Sequence, residues 1–167
     1  MALSLAHFNQ LVEDHGRTLY RVAYRMVGDP HEAEDLVQET YRSAWKGRQH
    51  YQSGRGDRAW LMAILRRRAI DRWRKRPPPM PASGDDFLEV RVAGDDPLAN
   101  DYTDEMQSAL SRLPVELRET LLLVVVGELT HQEVADLLEI PLGTVLSRVS
   151  RARTRLREYL LARVEST

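Results

Sequence analysis

The chain has 167 residues, with 24 Lys and Arg against 25 Asp and Glu, no cysteine and a hydrophobic share of 43%. That length holds one ordinary domain or two small ones, and without cysteine neither disulfides nor thiolate metal sites can form, as suits a reducing cytosol. Residues 1–15 lack the cationic and long apolar parts of a signal peptide, and no apolar run approaches the ~20 residues of a membrane span, so a soluble cytoplasmic protein is expected.

The net charge of −1 conceals strong segregation. Residues 55–76 carry nine Lys and Arg against two Asp, whereas residues 77–104 carry seven acids against Arg91 alone. A polyanion feels local potential within about one Debye length, ~8 Å at physiological salt, so near-neutrality overall does not exclude nucleic acid.

Helical periodicity dominates the chain. A first helix is expected over about 5–27, with Phe8, Leu11, Val12, Leu19, Val22 and Met26 inward. Gly28 suits its C′ position, and Asp29-Pro30 reads as cap and first turn of a second helix. That helix, to about residue 46, buries Ala33, Leu36, Val37, Thr40, Tyr41, Ala44 and Trp45. It leaves Asp35, Gln38, Glu39, Arg42 and Lys46 on the other face. A polar loop with Tyr51 and two glycines follows. Asp57 can cap a third helix over about 58–75, apolar nearly all round from Trp60 to Leu65 and cationic from Arg66 onward.

Pro77-Pro78-Pro79 and Pro81 end that helix. Residues 77–97 are acidic, aperiodic and contain proline and glycine, the composition of a flexible tether. A second helical domain is expected over 98–167. Leu98, Tyr102, Met106, Ala109, Leu110 and Leu113 form one helix, and Pro114 starts another. Its LLLVVV run reads as a buried helix rather than a strand, because Pro114 suits N1, Arg118-Glu119 interrupt the apolar pattern and Gly127 closes it.

The most informative stretch is residues 130–157, two short helices around a tight turn. Thr130 and Glu133 form a capping box, and Ala135 is small where a second helix must cross closely. Pro141 breaks the run, and Gly143-Thr144 open a new helix. On it Val145, Val149, Ala152 and Leu156 make one buried stripe. Arg148, Arg151 and Arg155 flank the stripe on one side, Arg153 and Arg157 on the other, and no acid lies between residues 143 and 157. A merely solvated helix usually mixes its charges, because Glu–Lys pairs support it. An apolar spine with a wholly cationic surface is the pattern of a recognition helix in a DNA groove.

The order DPHEAEDLVQETYRSAW, WLMAILRRRAIDRWRKR, an acidic tether, then LPVELRETLLLVVVGELTHQEVADLLEIPLGTVLSRVSRARTRLRE resembles the small bacterial sigma factors of the extracytoplasmic-function type (group 4), which consist of regions 2 and 4. The resemblance covers nearly the whole chain. It implies an all-α protein of two small helical domains joined by a flexible acidic linker: a region-2-like domain over 1–76, the linker over 77–97, and a region-4-like domain over 98–167. It also implies binding of core RNA polymerase through Asp35, Gln38, Glu39 and Arg42. Promoter −10 contacts would come from the loop residues Tyr51, Gln52, Ser53 and Arg55 and from Arg58, Arg67, Arg68, Arg72 and Trp73. A flipped base needs a glycine-containing wall, a stacking surface and polar edges, which those residue types supply. For the −35 element, the implied readers are Thr144, Ser147, Arg148, Arg151, Arg153 and Arg155. Relatives are usually held inactive by an anti-sigma factor, so such a partner is expected too.

Three positions depart from the family pattern. Arg67 stands where asparagine is common, Glu139 where a glycine often makes the turn, and Leu146 where lysine is frequent. If position 139 needs a positive φ, glutamate costs ~1 kcal/mol relative to glycine.

Two other function classes compete with this one. An enzyme is disfavoured: the five histidines are scattered, HQEVA lacks the second histidine of a zinc-protease helix, and no phosphate loop or nucleophile motif occurs. No cofactor or metal is expected. A helix-turn-helix regulator that is not a polymerase subunit would share residues 130–157. It would differ in the N-terminal helices, which should then build a ligand pocket or dimer interface. With Thr167 soon after the last helix, no further C-terminal sensor domain is expected.

Overall fold

The computed structural model describes residues 2–51, 56–75 and 104–165, apart from the side chains of Trp73 and of residues 163–165. The expected linker over 77–97, the loop residues Gln52, Ser53 and Arg55, and the start of the helix expected from Leu98 lie outside the described residues. All regular structure among the described residues is helical: α1 (Leu5–Val27), α2 (Pro30–Lys46), a 3-10 turn (Arg48–His50), α3 (Asp57–Lys75), α4 (Asp104–Arg112), α5 (Val115–Val125), α6 (His131–Leu138) and α7 (Leu142–Glu165). None of these helices is long and apolar enough to cross a membrane.

The boundaries follow from local chemistry. Gly28 ends α1 in the left-handed region (φ 76), and its N–H donates to the Tyr24 carbonyl, a conformation that costs glycine nothing. Asp29 then caps α2, its carboxylate accepting from the His31 and Glu32 N–H groups at 2.8 and 3.0 Å, with Pro30 in the first turn, where its missing N–H is harmless. Thr130 and Glu133 form the capping box of α6, with both bonds at 3.0 Å.

α1, α2 and α3 pack on one another, and α5, α6 and α7 form a second group with α4 against α7. In the first group Leu11, Leu19, Leu36, Leu61, Met62 and Leu65 are fully buried, and each such side chain contributes about 1.5–3 kcal/mol of transfer free energy. The apolar front half of α3 packs on α1 and α2 with Leu61, Met62 and Leu65 buried, while the half-buried Trp60 and Ala63 line a cleft against α6. In the second group the LLLVVV segment is helical, with Leu121, Leu122 and Leu123 buried.

The two groups are also in contact. α1 touches α4 and α5, and α3 touches α6. Arg25 donates to the Gln107 side-chain oxygen at 2.8 Å. Arg58 meets Glu128 at 3.4 Å. Arg66 grips Glu119 with two nitrogens, at 2.9 and 3.3 Å, and only 5% of the Glu119 side chain is exposed.

Candidate nucleic-acid and polymerase interfaces

α6 and α7 are joined by a turn through Glu139, which adopts φ 57 and ψ 46 while its N–H caps the Ala135 carbonyl. The left-handed conformation anticipated for this position is therefore present and occupied by a residue with a β-carbon. α7 is 24 residues long, about 36 Å of helix. Val145, Val149, Ala152 and Leu156 are buried against α5 and α6. At 100° per residue, the line opposite this stripe is Gly143, Ser147, Ser150 and Thr154, all small. Arg151, Arg153, Arg155 and Arg157 are exposed on either side, with Arg148 and Thr144 half-buried. Ser147 accepts from Arg151 at 2.7 and 3.2 Å, which holds that guanidinium along the helix. Small residues at the tip let the backbone approach base edges, and the arginine flanks match the two phosphate walls of a major groove.

The cations of α3 are divided among several environments. Arg67, Arg74 and Lys75 are exposed, whereas Arg68 lies 3.8 Å from Asp71. Arg72 pairs with Glu39 at 2.8 Å and also reaches the Glu32 carbonyl at 3.5 Å. Arg58 is turned to Glu128. Arg66, Arg67, Ile70, Asp71 and Arg74 line a shallow cleft whose far wall includes Leu137 of α6, so one side of α3 faces the second group of helices.

Tyr51 is 7% exposed. Its hydroxyl donates to Asp57, and its ring stands edge-on to His7 and Trp60 at 5.4 and 5.1 Å. Burial, then the Asp57 bond and charge, push the phenol up to about 12. Here the ring walls the start of the loop, and Asp57, which opens α3, is also 3.5 Å from His7. The side chain of Trp73 lies outside the described residues.

On α2, Asp35, Gln38 and Arg42 are exposed. Their spacing places them along one helix face. Glu39 is drawn sideways to Arg72, linking that face to α3.

Sequence reasoning missed Glu119, Gln107 and Glu128 as partners of α1 and α3. The sequence around Glu119 gives no such signal, because Glu116, Arg118 and Thr120 stand beside it; only its burial in the fold shows that the carboxylate needs a cation.

Comparison with known proteins fits this geometry. The Sigma-70 region 2 family matches residues 11–77 and the Sigma-70, region 4 family matches residues 103–156. The ECF RNA polymerase sigma factor SigE of Mycolicibacterium smegmatis is 36% identical over 94% of this chain, which spans 63% of that protein's length. SigW of Bacillus subtilis, also an ECF RNA polymerase sigma factor, is 30% identical over 92% of this chain and 88% of its own length. Among solved structures, the sigma factor RpoE in complex with the anti-sigma factor NepR from Bartonella quintana superposes with a TM-score of 0.74 at 28% identity, covering 93% of this chain and 98% of its own. CnrH in complex with the cytosolic domain of CnrY gives 0.70 at 29% identity, covering 95% and 90%. With both region families matched in order along the chain and relatives of 30% and 36% identity over nearly all of it, this protein belongs to the ECF RNA polymerase sigma factors.

Proposed function

We propose that this chain binds core RNA polymerase, directs it to promoters and takes part in opening the DNA there. The observation that carries the proposal is α7: a buried stripe on one side, small residues on the other, and exposed arginines along both flanks. In this reading residues 98–167 bring Thr144, Ser147, Arg148, Arg151, Arg153 and Arg155 to the −35 element. Residues 1–76 serve the −10 element through Arg67, Arg68, Arg72 and Trp73 and the loop residues Gln52, Ser53 and Arg55. Tyr51 anchors the chain just before those residues through its ring and hydroxyl contacts with His7, Trp60 and Asp57, and Arg58 becomes available once it leaves Glu128. Asp35, Gln38 and Arg42 form the polymerase-docking face, with Glu39 beside it.

Both solved relatives were captured with a bound protein, NepR in one and the CnrY cytosolic domain in the other. A protein antagonist of the same kind, released when transcription is required, fits this chain's place in the family, and the cytoplasm is where such a protein meets polymerase. Run-off transcription with reconstituted core polymerase on pooled genomic fragments tests the reading. Discrete start sites that need the added chain, and vanish with Asp35→Ala combined with Gln38→Ala, are expected. Transcription without start-site choice would overturn it.

A further inference from the structure

Five large apolar side chains are exposed among the described residues: Leu5, Val125, Leu142, Leu146 and Leu161. Two of them, Leu142 at 41% and Leu146 at 49%, stand one turn apart at the start of α7. Residues four apart on a helix are neighbours, so they form one small apolar surface. Arg153, seven residues beyond Leu146, lies on the same flank, and Arg157 continues it. This apolar surface is therefore the leading end of a cationic edge, on the helix whose other features fit a DNA groove.

The ligand that suits such an edge has phosphates along it and an apolar group at its leading end. The edges of the four base pairs in the major groove present hydrogen-bond donors, acceptors and a single apolar group, the C5-methyl of thymine. A leucine neither donates nor accepts a hydrogen bond. Placed over a guanine edge it would leave the O6 and N7 acceptors unpaired as water is expelled, which is unfavourable. Over a thymine it covers a methyl at no such cost. The recognition helix also touches base edges with its N-terminal residues, where Leu142 and Leu146 stand. We propose that Leu142 and Leu146 are specificity-determining residues that read thymine methyl groups in the −35 duplex, giving this chain an A·T preference where an arginine or lysine would favour guanine. This rests on α7 being the −35 reader.

The test separates the inference from that reading. The full-length chain is first used to select duplexes from a random pool, and each thymine of the selected sequence is then exchanged for deoxyuridine, which removes the methyl and nothing else. Loss of one buried methyl is expected to weaken binding about three- to fourfold, at one or two thymines only. In Leu146→Ala the same exchange is expected to have no effect at the thymine beneath residue 146, and Leu146→Met should restore sensitivity. Both positions are exposed, so the variants should keep the wild-type circular dichroism. Selective, salt-dependent binding that ignores every deoxyuridine exchange overturns the inference and leaves the −35 reading standing. Absence of any sequence-selective duplex binding overturns both.

Discussion

Glu139 holds the turn of the helix-turn-helix at φ 57 and ψ 46, where a β-carbon crowds the next carbonyl. Glu139→Gly removes that crowding but adds freedom to the unfolded chain. A net gain of about 1 kcal/mol is expected, read as a higher urea midpoint at unchanged slope; an unmoved midpoint would show the turn to be unstrained. His15 supplies a pH dependence. Burial, then the Arg58 charge, lowers its pKa, with Asp14 and Asp57 opposing, and its buried Nδ1 has no hydrogen-bond partner. The folded chain therefore binds this proton less readily than the unfolded one. Stability from His15 is fully present above about pH 6.5 and is lost as pH falls through the lowered value. Urea midpoints measured at descending pH should fall less steeply for His15→Gln than for the wild type. Equal slopes would assign the effect to another group.

At the level of elements, α5 shows what the sequence discloses and what it withholds. Its helical state and its end near Gly127 follow from the order of residues, whereas Pro114, expected at the first helical position, stands one residue earlier as the N-cap, with Val115 opening the helix. The end has a steric cause as well: a β-carbon at Gly127 would stand 2.7 Å from the Leu123 carbonyl oxygen. The spacing does not disclose that Arg118 folds back to donate to the Ser111 and Leu113 carbonyls at 2.7 and 3.0 Å, closing the C-terminal end of α4 with a buried guanidinium. Arg118→Met keeps the apolar bulk and strands those carbonyls, so a loss of about 1–3 kcal/mol is expected, measured by chemical denaturation. The site was legible to a similar depth. Periodicity separated the stripe of α7 from its arginines because both lie within one helix. The arginines of α3 read as a single cationic surface, yet Arg66, Arg68 and Arg72 each meet a different acid. Glu39 and Glu119 are 33 and 53 residues away from their arginines, and no local pattern encodes such a pairing. Tyr51, aromatic in a polar loop, fits either a stacking surface or a cap on the core from its sequence context, and its contacts with Asp57 and Trp60 are likewise encoded by no local pattern.

The whole molecule poses a problem of reach. The −10 and −35 elements lie roughly 25 base pairs apart, about 85 Å at ~3.4 Å per pair. A compact chain of this length has a radius of gyration of about 15 Å, roughly 40 Å across, so the arrangement in which Arg66 holds Glu119 and Arg25 holds Gln107 cannot place α3 and α7 on both elements at once. Residues 76–103 span 28 positions and could extend to about 90 Å, enough to join the two groups when parted. On the proposed function, promoter binding competes with the contacts between them, and among these ion pairs Arg66–Glu119 holds the more buried carboxylate, with 5% of the Glu119 side chain exposed against 58% for Glu128. The absence of cysteine makes this measurable: Glu34→Cys on α2 and Glu158→Cys on α7, both exposed, accept a donor and an acceptor dye. Energy transfer is expected to be high in the free chain and to collapse when core polymerase and promoter are added. Glu119→Ala removes one side of the ion pair, and Arg66 at 30% exposure can turn to solvent. In that variant transfer should fall before any partner is present, and free-chain affinity for a duplex carrying both elements at promoter spacing should rise. A variant whose transfer and affinity both match the wild type would mean that the Arg66–Glu119 contact does not hold the two groups together.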